Sequence, residues 1–352
     1  MSDAISREVE AAKHLAAAQS GDAGKFSELT EPYRRELQVH CYRILGSLHE
    51  AEDMVQETLL KAWKRLDTYE GRASFRAWLY KIATNTCLDL LDQRRSRRLL
   101  PLDANPASDP RTQILPPAAE ATWLEPFPDE WLRDTAAVNP EARYTDRESV
   151  SLSFMTALQY LPPRQRAVLI LRDVLDFSAS ETAEVLEITV SSANSALHRA
   201  RVTLAQRYPG PEPSASPPND ERTQWLLDHF VQAWENADVA GLVALLKEDV
   251  MLAMPPSPSW YQGRQAIGVF AATTVFADGG MFGGEASNRW RLIPTRANNS
   301  PAFAIYQHTG GNTYKAFGLH VLGIDAGELT QIISFIDPSL PTRFGLPAKL
   351  EK

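Results

Sequence analysis

The sequence predicts a multidomain chain in which two all-α blocks, the second a helix-turn-helix, precede an α+β domain. Apolar residues recur at helical spacing through the first two blocks. β-rich runs separated by turn signals dominate from Gly284 onward. Two proline-rich stretches separate the blocks and are interpreted as linkers. The predicted boundaries are 1–98 for the first block, 99–147 for an acidic linker, 148–208 for the second block, 209–220 for a short linker and 221–352 for the C-terminal domain.

Composition places the chain among ordinary globular proteins and excludes several functional classes. It has 352 residues, of which 44% are hydrophobic and 23% charged. The net charge of −8 argues against a protein that coats nucleic acid through bulk electrostatics. The two cysteines, Cys41 and Cys87, lack metal-ligand spacing, so we expect neither a disulfide nor a metal site, and no cofactor. Without a signal core or a bilayer-length apolar run, we expect a cytoplasmic protein with no membrane partner.

The first block contains two amphipathic helices joined by a short loop. "EAEDMVQETLLKAWKRL" (Glu50 to Leu66) places apolar residues at helical spacing, and "SFRAWLYKIATNTCLDLLDQRRSRR" does so again. Between them, "TYEGRAS" carries a glycine and small polar residues, which predicts a loop.

The second block carries the pattern of a helix-turn-helix. A helix is expected after the prolines of "LPPRQRAVLILRDVL", and Ser178 with Glu181 fits a capping box at the start of the next helix. After the turn "EITV", Thr189 can cap a third helix, whose apolar stripe is Ala193, Leu197, Ala200 and Leu204. The opposite face is polar, and either reads DNA or simply meets water. Its residues are Ser191, Ser192, Asn194, Ser195, His198 and Arg199.

The C-terminal domain is predicted to place helices before an antiparallel sheet. "TQWLLDHFVQAWEN", "DVAGLVALL" and "GRQAIGVFAATTVF" are interpreted as helices. "NRWRLIPTRA", "PAFAIYQHT", "TYKAFGLHVLGID" and "LTQIISFID" are interpreted as strands. Helices followed by such a sheet make an α+β domain.

The first two blocks together resemble the sigma factors of bacterial RNA polymerase, in particular the extracytoplasmic-function (ECF) group. "AEDMVQETLLKAWKRL" with "FRAWLYKIATNTCLDLLDQRRSRR" resembles sigma region 2, and "LPPRQRAVLILRDVLDFSASETAEVLEITVSSANSALHRAR" resembles region 4. The resemblance implies a factor that binds core RNA polymerase and recognises the −10 and −35 elements of promoter DNA, with no catalysis of its own.

The resemblance also implies roles for individual residues. The residues implied to grip the clamp of the largest polymerase subunits are Asp53, Gln56, Glu57, Leu59 and Trp63. Those implied to open and hold the −10 element are Tyr69, Glu70, Gly71, Arg72, Ala73, Ser74, Phe75, Arg76, Asn85, Arg94, Arg95, Arg97 and Arg98. A solvated face is the alternative for Asp53 and Glu57, and core packing is the alternative for the aromatic residues.

Region 4 departs from the family pattern on its third helix. Many ECF factors carry extra Lys or Arg there, where this chain has Asn194 and Ala196. The implied −35 contacts are therefore the polar face itself, Ser191, Ser192, Asn194, Ser195, His198 and Arg199. So few charges make few phosphate contacts, and we expect polymerase and region 2 to hold this helix over the promoter.

The C-terminal domain resembles the SnoaL-like, NTF2-type cone domains that are fused to some ECF factors. The resemblance rests on the order of helices and strands and on "MPPSPSWYQGRQAIGVF". It implies a pocket, for which the candidate residues are Trp260, Tyr261, His308, His320 and Asp337. A regulatory domain, with a small-molecule ligand as a candidate partner, is the preferred interpretation.

Two other functions remain open from the sequence. A ligand-regulated helix-turn-helix protein would bind DNA tightly without polymerase. An enzyme of the cyclase or isomerase type would use Asp337 or His320 as a base.

Overall fold

The computed structural model describes residues 2–93, 98–117, 123–132, 143–208, 221–279 and 281–351. The chain folds into two compact units. The first comprises residues 1–95, 130–149 and 157–207, and the second comprises residues 96–129, 150–156 and 208–352. Within the described residues, no helix combines the length and the apolar character that a membrane span needs.

The described residues form fourteen α-helices and seven strands. The helices are α1 (Ser2–Gln19), α2 (Ala23–Thr30), α3 (Arg34–Leu45), α4 (Leu48–Lys64), α5 (Phe75–Asp92), α6 (Pro101–Ala104), α7 (Leu152–Gln159), α8 (Pro163–Leu169), α9 (Ala179–Leu186), α10 (Val190–Arg207), α11 (Glu221–Glu235), α12 (Val239–Ala244), α13 (Arg264–Phe270) and α14 (Leu340–Arg343). The strands are β1 (Leu246–Ala253), β2 (Trp260–Gln262), β3 (Trp290–Ala297), β4 (Ser300–His308), β5 (Thr313–Asp325), β6 (Glu328–Phe335) and β7 (Lys349–Glu351).

Helix α3 is the centre of the first block, since nine of its twelve residues are buried. It ends at Gly46, whose φ of 71° is the left-handed conformation that glycine adopts freely. Ser47 then caps α4 by accepting a hydrogen bond from the Glu50 amide at 3.2 Å. Because of this cap, α4 begins two residues before the predicted Glu50.

The helix-turn-helix prediction is confirmed in the first unit. Helix α8 runs into one π-helical turn, Ile170–Val174, before α9 begins. Ser178 and Glu181 form the predicted capping box at the start of α9. Glu187 ends α9 in the left-handed conformation, and Thr189 Oγ1 accepts from the Ser192 amide at 3.1 Å to start α10.

The C-terminal domain is built on one mixed sheet with the strand order β2-β1-β6-β5-β4-β3, and β7 pairs with β5. Helices α11 and α13 pack against this sheet, and the apolar core lies between the helices and the sheet. The expectation of a wholly antiparallel sheet is wrong, because β1 precedes α13 and pairs with β6 in parallel. The sequence concealed β1 because it carries Lys247, Glu248 and Asp249 in succession, which breaks the alternation of apolar and polar residues.

A β-bulge in β5 shapes the interior of this domain. Ile305 pairs with Gly318 and Tyr306 with Ala316, so Phe317 is the extra residue. Gly318 is required there, because a Cβ at this position would lie 2.2 Å from the Phe335 carbonyl oxygen. The bulge thereby fixes the position of the Phe317 ring in the domain interior.

Candidate functional site

Helix α4 presents a polar outer face around one exposed leucine. Asp53 and Gln56 are exposed, and Glu57 is half-buried with Oε1 at 3.7 Å from Lys61 Nζ. Leu60 is 47% exposed and follows Gln56 by one helical turn, so it lies on the same face. Leu60 was not among the predicted polymerase contacts. Its position outside the apolar stripe of this helix was the signal that it is exposed.

The other two residues predicted to contact polymerase belong to the core of the first unit. Leu59 is only 7% exposed. The half-buried Trp63 packs its ring against Phe26, with 5.1 Å between ring centroids. These two side chains position the outer face of α4.

The loop before α5 is braced by aromatic rings. The Tyr69 hydroxyl donates to the Ala73 carbonyl at 2.8 Å, and the Tyr69 ring lies 5.5 Å from Phe75 and 5.2 Å from Trp78. Ser74 caps α5 by accepting from the Ala77 amide. The exposed residues of the loop are Glu70, Gly71, Arg72 and Ser74.

Arg76 is held in a partly buried network of protein groups. Its Nε donates to Glu36 at 2.9 Å, and the Tyr80 hydroxyl donates to the same carboxylate at 3.3 Å. Burial raises the pKa of Glu36, and the Arg76 charge opposes this shift. Arg76 therefore joins α5 to α3.

The predicted arginine cluster is only partly visible. Arg94, Arg95 and Arg97 lie outside the described residues. Arg98 belongs to the second unit, where its Nη1 donates to the Trp123 carbonyl at 2.8 Å and lies 3.5 Å from Glu125 Oε1.

Helix α10 presents its predicted polar residues together, since all six are exposed. Five of them line one shallow, open depression with Val190: Ser191, Asn194, Ser195, His198 and Arg199. Ser192 instead supports the start of the helix, with its Oγ at 2.8 Å from Thr189 Oγ1.

The basic groups of α10 divide into two classes. Arg201 makes two hydrogen bonds to the buried carboxylate of Asp173, at 2.6 and 2.9 Å, and so ties α10 to the π-helical turn after α8. Arg199 is exposed, and no described residue forms an ion pair with it. Arg199 is therefore the arginine of this depression that is available to a nucleic acid.

The five residues predicted to line a C-terminal pocket do not share one, because the pleat and the loops direct them to different places. His320 lines an interior cavity. Trp260 bonds to the Asn105 carbonyl, and Tyr261 stacks on Phe270 at 4.3 Å. His308 and Asp337 are exposed, and Asp337 accepts from the nearby Ser339 amide. Asp337 and His320 thus form no catalytic pair.

The comparisons with known proteins agree with this geometry. Sequence models of Sigma-70 region 2 and Sigma-70 region 4 match residues 29–97 and 151–204. The ECF RNA polymerase sigma factor SigG of Mycobacterium tuberculosis (strain H37Rv) is 43% identical over 329 residues, which cover 93% of this chain and 85% of SigG. The chain belongs to the ECF sigma factor family. The first block of this sigma factor is therefore region 2, and the helix-turn-helix block is region 4.

A second sequence relative and one solved structure are consistent with this assignment. The ECF RNA polymerase sigma factor SigW of Bacillus subtilis (strain 168) is 29% identical over 195 residues, which cover 55% of this chain and 95% of SigW. The crystal structure of the M. tuberculosis extracytoplasmic function sigma factor SigJ matches with a TM-score of 0.54 at 20% identity, covering 92% of this chain and 99% of that one. The latter shows that the fold is shared over nearly the whole sigma factor.

Regions 2 and 4 of this sigma factor contact each other within the first unit. Asn85 Nδ2, on α5, donates to the Val185 carbonyl of α9 at 3.3 Å. Lys81 Nζ lies 3.2 Å from Glu187 Oε1 one turn earlier on α5. The ring of Phe177 packs on Tyr80, with 5.5 Å between centroids. Asn85, predicted to face a −10 base, is therefore engaged by region 4 in this form.

Proposed function

We infer that this chain binds core RNA polymerase and directs promoter-specific transcription initiation. The observation that carries the inference is the presence of regions 2 and 4, in that order, in a chain that is 43% identical to an ECF RNA polymerase sigma factor over 93% of its length. A helix-turn-helix regulator that acts without polymerase would have no use for region 2. The test is specific initiation by core polymerase together with the full chain, and by neither alone.

The outer face of α4 is proposed as the polymerase contact, with Leu60 at its centre. Asp53, Gln56 and Glu57 surround this leucine with polar groups that orient a partner. An exposed apolar residue within a polar rim is the usual anatomy of a binding hot spot.

The loop of residues 69–75 and Asn85 are proposed to hold the melted −10 strand. Tyr69, Phe75 and Trp78 form a half-buried aromatic cluster on which an unstacked base can pack. Arg76 supports the loop through its ion pair with Glu36.

The depression on α10 is proposed to read the −35 element, with Arg199 as its charged contact. Replacing Arg199 by alanine is expected to weaken promoter binding by the polymerase–sigma complex about tenfold, since one arginine contact to DNA contributes about 1–3 kcal/mol. The measurement is the dissociation constant for promoter DNA at several salt concentrations. Arg207→Ala is the matched control, because Arg207 ends the same helix and packs over the Tyr160 ring. Equal losses in the two variants would contradict this assignment.

Promoter binding is proposed to require separation of regions 2 and 4. The −10 and −35 elements lie roughly 25 base pairs apart, which is about 85 Å along B-form DNA. Regions 2 and 4 touch in this form through α5 and α9, so the loop before α5 and the depression on α10 cannot reach both elements at once. The contact therefore represents a closed form of the sigma factor.

The Lys81–Glu187 pair offers a test of the closed form. Lys81→Glu and Glu187→Lys each place like charges about 3 Å apart, and both are expected to favour the separated form, modestly because the pair is partly exposed. The exchange of both residues should restore contact. The measurement is the distance between spin labels at positions 64 and 202, both exposed, on chains in which Cys41 and Cys87 stay buried. Identical distance distributions for the two single variants and the double exchange would contradict the closed form.

The C-terminal domain is proposed to regulate the sigma factor without catalysis, through a small-molecule ligand. His320 is the titratable residue among the described cavity residues, and no described carboxylate lines the cavity beside it. Burial lowers the pKa of His320 to about 3, so the ring is neutral near pH 7 and lacks the partner that a general base needs.

A further inference from the structure

A cavity lies in the C-terminal domain, and its wall is almost entirely carbon. Its lining includes Leu252 of β1, Met254 directly after β1, Trp290 and the bulged Phe317. The space open to the centres of water-sized molecules is about 40 Å³. One water needs about 10–15 Å³, so the cavity has room for about three waters or for a small organic molecule in their place.

Three nitrogen atoms of cavity-lining side chains lack hydrogen-bond partners among the described residues. They are Trp234 Nε1, Trp290 Nε1 and His320 Nε2, and their side chains belong to residues only 6%, 1% and 1% exposed. The other ring nitrogen of His320 lies 2.8 Å from Ser334 Oγ. Unpaired polar groups at such burial are costly, and all three belong to side chains that line one cavity. A bound molecule with an oxygen atom would relieve this cost.

The electrostatics of the cavity select for a neutral ligand. No lysine, arginine, aspartate or glutamate of the described chain lines it, and His320 is uncharged because burial lowers its pKa. A charged ligand would lose its hydration without gaining an opposite charge.

One wall of the cavity continues into the segment that holds the linker. Beyond Met254, residues 256–260 contact described parts of the chain between regions 2 and 4, residues 105–117 and Trp123, which are here called the strap. Trp123 Nε1 donates to the Pro256 carbonyl at 2.8 Å, and Trp260 Nε1 donates to the Asn105 carbonyl at 2.8 Å. In addition, the Ser108 amide donates to the Trp260 carbonyl at 2.7 Å. Ser257 Oγ donates to the Leu115 carbonyl at 2.7 Å, and the Leu115 amide donates to Ser259 Oγ at 3.0 Å.

We propose that this cavity binds a small neutral ligand with an apolar body and one oxygen acceptor, and that its occupancy is transmitted to the strap through residues 254–260. The indoles of Trp234 and Trp290 donate to the oxygen, while the carbon walls exclude charge. Displacement of Met254 by the ligand moves the Pro256 carbonyl and changes the hold on Trp123. The transmission step rests on the proposed regulatory function, whereas the binding step does not.

The test uses the full chain and three probes of equal size: 2-butanone, its hydrocarbon isostere 2-methyl-1-butene, and the anion propionate. Indole N–H resonances in two-dimensional NMR report each site, assigned through Trp→Phe variants. We expect 2-butanone to shift the Trp234 and Trp290 signals saturably. The alkene should bind at least about fivefold more weakly, because it offers the two indoles no acceptor, and propionate should have no effect. Non-saturable shifts would mean that the cavity holds only solvent, and equal affinity for ketone and alkene would overturn the role of the acceptor.

Two variants separate binding from folding. Val275→Leu adds one methylene to the cavity wall and should weaken the ketone at least tenfold, whereas Val239→Leu, a half-buried position outside the cavity, should not. If Val275→Leu fails to fold, Trp290→Phe gives a second reading, since loss of one of the two donors should lower the preference for ketone over alkene. An unchanged preference would overturn the proposed ligand geometry.

The Trp123 indole tests transmission separately. We expect its hydrogen-exchange rate to change on saturation with 2-butanone, in step with the cavity indoles. If the cavity signals saturate while Trp123 exchange stays constant, transmission is overturned and binding stands. The regulatory function has a separate test, the promoter activity of a chain that carries both Trp123→Phe and Trp260→Phe. Unchanged promoter activity in this double variant would contradict the regulatory function itself.

Discussion

Leu60→Asp is expected to lower the affinity of the chain for core RNA polymerase about 30-fold or more. Leu60 is 47% exposed at the centre of the outer face of α4, so its side chain contributes little to the folding stability of the free chain. Replacing a buried apolar hot-spot residue by aspartate weakens the binding free energy by about 2 kcal/mol or more. The measurement is the dissociation constant for core polymerase, taken from fluorescence anisotropy of the labelled chain.

Met281→Asp is the control for this variant. Met281 is 55% exposed and lies outside regions 2 and 4. Its replacement by aspartate should leave polymerase affinity within about twofold, because it changes exposed rather than interfacial surface. Equal affinities for the Leu60→Asp and unsubstituted chains would contradict the assignment of α4 as the polymerase contact.

Arg166→Met is expected to cost the first unit about 3 kcal/mol of local stability, the largest effect predicted for a single side chain. Arg166 is 3% exposed and donates to the Ile44, Gln159 and Leu161 carbonyls. Methionine fills the volume but leaves these buried oxygens without a donor. Because Ile44 lies on α3, the loss also weakens the contact between regions 2 and 4. Hydrogen exchange of the α8 and α9 amides measures the effect.

Arg164→Met provides the control on the same helix. Arg164 is exposed, so the same substitution should change exchange protection by less than about 0.5 kcal/mol. If both variants lose equal protection, helix propensity and not the buried hydrogen bonds would explain the result.

The helical elements were predictable because their signals are local. Caps such as Ser178 with Glu181, and the stripe along α10, involve residues within one or two turns. The exposed reading face followed directly, since a buried stripe fixes which side chains face outward. Strand β1 was missed because its parallel partner, β6, follows some 80 residues later and leaves no local trace.

The tertiary roles of charged and aromatic residues could not be predicted in the same way. Arg76 and Arg98 were expected to face DNA, yet both bind protein groups supplied by distant segments. The cavity around His320 depends on the bulge at Phe317, which becomes evident only from strand register. Periodicity identifies the buried face of an element but does not identify the partner that covers it.

The most direct test of the central claim is run-off transcription with purified core polymerase on a promoter selected from random DNA. The account predicts specific transcripts with the full chain, none with core polymerase alone, and a loss of most initiation with Leu60→Asp but not with Met281→Asp. Tight, sequence-specific binding of the full chain to DNA with no transcript from any selected promoter would contradict the assignment as a sigma factor.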